Sequence, residues 1–235
     1  MSRKRSTLYP NGVSNAAAES FEGIANLRFP DPSKFHTYFN DFDTYLASDW
    51  TVTETGVATQ ALTDKNGGAI LITNAAADND VSASQLVGES FAYAADKELW
   101  FKTRLQISDA TQSDLICGLW IKTATAPITT PPTDGIYFRK DDAAATIDFI
   151  LNKDSTESVS AAIATLADAT DVELAFHYDG EGTFRAYVDD VLVATQTTLT
   201  NVPDDEILTL GFAIQNGEAV AKTMTLDYIL ASLER

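Results

Sequence analysis

Two aspartates two residues apart, Asp41 and Asp43 in "DFDTY", are the first place in this chain where acid–base chemistry is conceivable. On an extended backbone alternate side chains share a side, so both carboxylates could address one substrate atom. No third acid follows, because position 45 is Tyr45, and the pair reads as polar flanks of a buried Phe42. Asp189 and Asp190 in "YVDDV" are adjacent, which sends them to opposite faces of a strand or into a turn. That is poor geometry for cooperating acids, and they read as corner residues. "DNDVSAS" gathers Asp78, Asn79 and Asp80, whose oxygens could hold one calcium ion or simply solvate a loop. His36 and His177, the only histidines, are too few and too far apart for a transition-metal cluster; His177, between Phe176 and Tyr178, reads as an exposed strand residue. Cys117 lies in apolar "DLICGLWI" and reads as a small hydrophobe, not a nucleophile. There is no glycine-rich phosphate loop, no G-x-S-x-G elbow and no metalloprotease helix. The residues predict no catalytic set, no metal centre and no cofactor.

Aromatic stacking is the remaining chemistry. Trp50, Trp100 and Trp120 are the candidates for a glycan platform, with core or inter-subunit packing as the competing use of the same rings. Trp100 lies on the strand face opposite Phe101 and Leu105.

The elements that would position these groups are strands. "ELWFKTRLQIS", residues 98–108, alternates Leu99, Phe101, Thr103, Leu105 and Ile107 against Trp100, Lys102, Arg104 and Gln106, which predicts one buried and one wettable face. "SDLICGLWIKT" is almost continuously apolar and predicts a central strand covered on both sides. "FHYDGEGTFRAYVDDVLVAT" reads as three strands joined by turns at Asp179-Gly180 and Asp189-Asp190. Residues 69–73 form a further short run after the Asn66-Gly67-Gly68 turn, and residues 158–170 read as strand and loop. The first regular strand is expected near Trp50 and Val52. Ten to thirteen strands at this spacing predict an all-β, two-sheet antiparallel sandwich of jelly-roll type.

Composition sets the rest. With 235 residues, 45% of them hydrophobic, the chain can bury a core without disulfides, which its lone cysteine excludes within the chain. That cysteine usage suits synthesis in a reducing cytoplasm. No apolar run approaches a membrane span, and the basic start Met1-Ser2-Arg3-Lys4-Arg5 continues into polar residues, so no secretion signal is expected. Net charge is −18. Residues 1–40 hold five cations against three acids, a balance of +2, leaving −20 for the remainder. An acidic body is a poor partner for nucleic acid. Residues 1–38 lack a sustained period and are expected to form an extended arm, either a docking tail or a solvated terminus, with the sandwich over 39–235.

Tyr178-Asp179-Gly180, Val188-Asp189-Asp190 and Leu226-Asp227-Tyr228-Ile229 fall in the order seen at the end of concanavalin A-like and laminin-G-like jelly rolls, which this chain resembles over about residues 40–233. Asp190 stands where that pattern has glycine. Glycoside hydrolases of the fold carry E-x-D-x-E on one strand, and this chain does not. "YFNDFDTYLASDWTVTETG", "TDGIYFRKDD" and "TLDYILASLER" also resemble virion proteins of tailed bacteriophages. That resemblance implies a non-enzymatic capsid decoration or cement protein on the virion exterior, assembled in the host cytoplasm. Its implied partner is the major capsid protein, gripped by Arg3, Lys4, Arg5, Tyr9, Phe21, Arg28 and Phe29 of the arm, with homo-oligomers possible. The alternative it leaves open is a carbohydrate-binding module using Trp50, Trp100 and Trp120.

Overall fold

The computed structural model describes residues 34–235. In chain order the strands are β1 (Phe35–Asn40), β2 (Trp50–Thr55), β3 (Ala58–Leu62), β4 (Ile70–Asn74), β5 (Val81–Leu86), β6 (Phe91–Ala92), β7 (Glu98–Ile107) and β8 (Ser113–Trp120). They continue as β9 (Gly135–Lys140), β10 (Thr146–Lys153), β11 (Thr156–Thr165), β12 (Val172–Asp179), β13 (Phe184–Val188), β14 (Val191–Gln196), β15 (Ile207–Asn216) and β16 (Thr223–Glu234). The only helical piece among the described residues is a 3-10 turn at Ala47–Asp49. No helix there is long and apolar enough to cross a membrane.

The strands form two eight-stranded antiparallel sheets. The first runs β14-β13-β12-β7-β16-β4-β3, with β1 also beside β16; the second runs β11-β10-β9-β8-β15-β5-β2, with β6 beside β15. This is the jelly-roll sandwich that the strand spacing predicts. Local chemistry explains its corners. Asp189 and Asp190 both have positive φ, 50° and 61°, as the two central residues of a type I′ hairpin require, and Asp tolerates that region better than most residues. The Asp189 carboxylate also accepts the Glu173 backbone N–H at 2.9 Å.

Between the sheets lies a continuous apolar core. Phe101, Phe138, Phe149, Phe176 and Phe184 form a ladder across it, with Phe101 stacked on Phe176 at 5.2 Å and Phe149 packed on Phe176 at 5.6 Å. Each such ring contributes about 1.5–3 kcal/mol by leaving water, so the fold stands without cross-links. Cys117 is in this core, fully buried, and burial pushes its thiol well above the ordinary range. Alternation along β7 is as expected: Leu99, Phe101, Thr103, Leu105 and Ile107 are buried and the intervening residues are not.

Two expectations need correction. A strand precedes Trp50, because Phe35–Asn40 pairs with β16 from Phe35↔Glu234 to Asn40↔Ile229. Residues 35–38, expected in the arm, are therefore part of the sheet, and residues 1–33 lie outside the described residues. Sixteen strands also exceed the expected ten to thirteen, because β1 falls where an arm is expected and the short edge pieces β3 and β6 carry little period of their own.

Candidate functional site

Cross-strand register defines what each sheet shows to the outside. On the second sheet, Gly211↔Gly118↔Tyr137↔Ile150 forms one row, Thr209↔Trp120↔Gly135↔Asn152 the next, and Ala213↔Ile116↔Arg139↔Asp148 the one beyond. This outer face carries its own apolar cluster of Val81, Ala83, Ile116, Trp120, Tyr137, Ile150 and Ala213. Ala126 belongs to the same cluster and Ile128 packs against it, both from the loop joining β8 to β9 (residues 121–134). Trp120 and Tyr137 are both 0% exposed.

Glycines let these rings lie close to the sheet. A Cβ on residue 211 would stand 2.6 Å from Cζ2 of Trp120. At residue 118, where φ is +150°, it would stand 2.5 Å from the Ile136 carbonyl oxygen. The result is a recessed floor of two aromatic rings set 6.5 Å apart, edge to face.

Around that floor is a polar network. Arg139 binds Glu157 through two N–H groups, at 2.6 and 3.1 Å. The Tyr137 hydroxyl donates to Glu157 at 3.2 Å and accepts from Asn152 Nδ2 at 3.3 Å. Burial pushes that hydroxyl's pKa up to about 12, so it stays a neutral donor. Asn152 Nδ2 also donates to the Pro132 carbonyl at 2.7 Å. Gln85 holds the loop's other root, donating to the Ile121 carbonyl and accepting from the Thr123 N–H, each at 3.1 Å. Two buried polar atoms on this face have no partner, the indole N–H of Trp120 and Oδ1 of Asn152.

Carboxylates on the face are already engaged. Glu157 is held by Arg139, Asp148 accepts the Ala162 N–H at 2.6 Å, and Asp114 accepts the Asp142 N–H at 2.8 Å.

The first sheet's outer face is ionic. Lys65 pairs with Asp171 at 2.8 Å and Asp227 at 3.3 Å, Arg104 with Asp171 at 3.0 Å, and Lys102 with Asp190 at 2.9 Å. Lys102 also pairs with Glu173, which accepts the Tyr228 hydroxyl. Beside this lattice Trp100 stacks on His177, centroids 5.1 Å apart and planes at 10°, with the edge of Phe35 at 5.4 Å. His177 is thus half-buried, not the exposed strand residue expected, and its burial, then Arg185, lowers its pKa.

A separate cleft of roughly 410 Å³ opens between β1 and residues 86–90, lined by His36, Tyr38, Asp49, Val87 and Ser90 among others.

The structure disperses the residues singled out in the sequence. Trp50 is in the inter-sheet core, 5.1 Å from Phe212, Trp120 is under the β8–β9 loop, and Trp100 is half-buried on the opposite sheet. They form no shared platform. Asp41 is half-buried and Asp43 exposed on either side of buried Phe42. Asp78 and Asn79 are exposed, whereas Asp80 is buried and accepts the Ala77 N–H at 3.3 Å. No group of three or more His, Cys, Asp or Glu among the described residues could hold a metal ion. Arg3, Lys4, Arg5, Tyr9, Phe21, Arg28 and Phe29 lie outside the described residues. Nothing in the sequence singles out Tyr137, Asn152 and Gln85, because only the register of distant strands brings them beside Trp120.

No protein-family model and no curated protein sequence matches this chain. Solved structures do. An endo-1,3-beta-glucanase from Streptomyces sioyaensis is similar at a TM-score of 0.61 and 13% identity, over 86% of this chain and 98% of that one. The Emp47p carbohydrate recognition domain is similar at 0.60 and 13%, over 88% and 99%. An endo-beta-1,4-glucuronan lyase from Trichoderma reesei is similar at 0.55 and 10%, over 83% and 94%. At these identities the likeness is one of fold, and the fold is a concanavalin A-like jelly-roll sandwich. Recognition domains, a hydrolase and a lyase share it, so the architecture alone does not separate binding from turnover.

Proposed function

We propose that this chain is a non-catalytic attachment protein, a decoration or cement protein on the outside of a phage head whose partner is the major capsid protein. The observation that supports this reading is that both sheets turn faces outward that their own chain already occupies. Among the described residues, one carries ion pairs and the other is covered by a loop, and Glu157, Asp148 and Asp114 of the covered face each accept a hydrogen bond from the chain itself. Such a body contributes rigidity and an acidic, soluble exterior. Attachment then falls to the segment where the cations concentrate, Arg3, Lys4, Arg5 and Arg28. Removing residues 1–33 is expected to leave a folded sandwich that no longer co-sediments with capsids. Replacing Arg3, Lys4 and Arg5 by alanine is expected to weaken co-sedimentation and its salt dependence. Undiminished co-sedimentation of the shortened chain would overturn the reading.

A second reading, binding of glycans, has one specific observation in its favour: an aromatic floor of Trp120 and Tyr137 bordered by amide groups. Aromatic faces with nearby hydrogen-bonding groups suit the C–H faces and hydroxyls of sugars. A glycan array with the intact protein tests it.

A further inference from the structure

Resting on the glycan reading, we infer that the β8–β9 loop is a latch over a site for a neutral saccharide, and that the loop must lift from Trp120 and Tyr137 to admit it.

The two ends of the loop are fastened and its middle is not. Gln85 and Asn152 hold residues 121, 123 and 132 from the sheet. Residues 124–131, by contrast, donate and accept no hydrogen bond to either sheet among the described residues. Their backbone bonds are internal, such as Thr130 N–H to Ala126 carbonyl at 3.0 Å. What seats the middle is Ala126 and Ile128 on the aromatic floor, with Pro127 between them also buried, while Ala124, Thr125, Thr129, Thr130 and Pro131 are exposed. That is a small apolar contact with fixed hinges at both ends.

Beneath it, the match between cover and floor is incomplete. The Trp120 indole N–H and Asn152 Oδ1 are unpartnered, in residues 0% and 2% exposed. The Asn152 orientation is fixed, because Nδ2 faces a carbonyl that can only accept. A donor and an acceptor left unmatched in apolar surroundings are costly, and native interiors rarely keep them without cause. The two residues flank Gly135 on adjacent strands. A saccharide lying across the strands can accept from the indole N–H through one hydroxyl and donate to Asn152 Oδ1 through another, and the C–H face of a pyranose can replace Ala126 and Ile128 on the rings. A neutral ligand suits the surroundings, because Arg139 is already paired with Glu157 and Asp141 and the remaining carboxylates of the face, Asp148 and Asp114, would repel an anionic sugar.

Because the ligand would bind only the lifted state, its apparent affinity is reduced by the fraction of molecules in that state. The test is a full-length chain in which residues 124–131 are replaced by two glycines, in a Trp100→Phe background so that the half-buried indole is silent. Acrylamide quenching reports access to Trp120, and fluorescence titration with cello-, laminari-, xylo- and chito-oligosaccharides reports binding. The expected result is greater quenching and apparent affinity at least about tenfold tighter than with the intact loop, a gain removed by Asn152→Leu. Equal binding with and without the loop would overturn the latch and leave the glycan reading standing. Greater quenching with no binding to any of these sugars would overturn the glycan reading, and the latch with it. Unchanged quenching would show that the loop is not the cover. Should the shortened chain fail to fold, Ile128→Asp, which puts a charge on the apolar floor, reads the same outcomes.

Discussion

The outer faces of the two sheets solve the same problem in opposite ways. Each sheet has one side in the shared core and must do something with the other. The first sheet meets water with Lys65, Lys102, Arg104, Asp171, Glu173 and Asp227, tied in pairs. The second buries Trp120, Tyr137, Ile150 and Ala213 beneath a loop. A wettable face is cheap to lose piece by piece, because exposed ion pairs are worth little individually. A covered face behaves as a second core and should respond like one.

The contrast is most exposed to refutation at the two outer tryptophans. Trp120→Ala is expected to cost about 3–5 kcal/mol, seen as a lowered denaturant midpoint, whereas Trp100→Ala on the other sheet should cost well under half as much. Similar losses at the two positions would erase the distinction. Next, Gly211→Ala forces the Trp120 ring outward and should cost about 1–3 kcal/mol by overpacking. If thermal unfolding shows no change, the ring does not lie against that glycine.

A third test lies at the end of the sandwich, where Lys222, almost fully buried, pairs with Asp109 at 2.7 Å and Glu218 at 2.6 Å. Burial would push the Asp109 carboxyl up, but the Lys222 ammonium and the N–H groups of Gln112 and Thr111 outweigh it and hold it well below the usual range. A folded-state pKa below the unfolded value contributes stability that is fully present above about pH 4 and is lost as pH falls further. Asp109→Asn should therefore cost about 1–2 kcal/mol at neutral pH and flatten the acid limb of the stability profile; an unchanged limb would place the acid sensitivity elsewhere. The smallest effect is expected for Lys102→Met, about 1 kcal/mol or less and reduced further by salt. A larger loss would mean that the ionic face acts as a network.

How much of this is legible in the sequence follows the same division. The period of two along Glu98–Ile107 reveals the amphipathic strand, and the apolar run over residues 115–120 of β8 correctly points to cover on both sides. Asp189-Asp190 is readable as a corner because turn chemistry is local. What covers the second face is not readable. "IKTATAPITTPPTD" looks like punctuation between strands, and only the fold sets Ala126 and Ile128 over Trp120. Likewise Trp120 offers itself as a stacking residue until Gly118 and Gly211, far apart in the chain, are seen beside it. Strand β1 is hidden in the sequence because its residues are aromatic on both sides, Phe35 and Phe39 against Tyr38, and give no clear inner face until β16 pairs with it.

That pairing also sets how the molecule would answer to force. Phe35 stands opposite Glu234, and the Arg235 N–H reaches the Lys34 carbonyl at 2.7 Å, so β1 and β16 present neighbouring, antiparallel ends. Tension applied between those two ends would load the rungs one after another and open the seam like a zip. Tension entering through Lys34 and leaving through the far sheet would instead load many rungs in shear at once, so the direction of the pull decides whether the same seam is weak or strong.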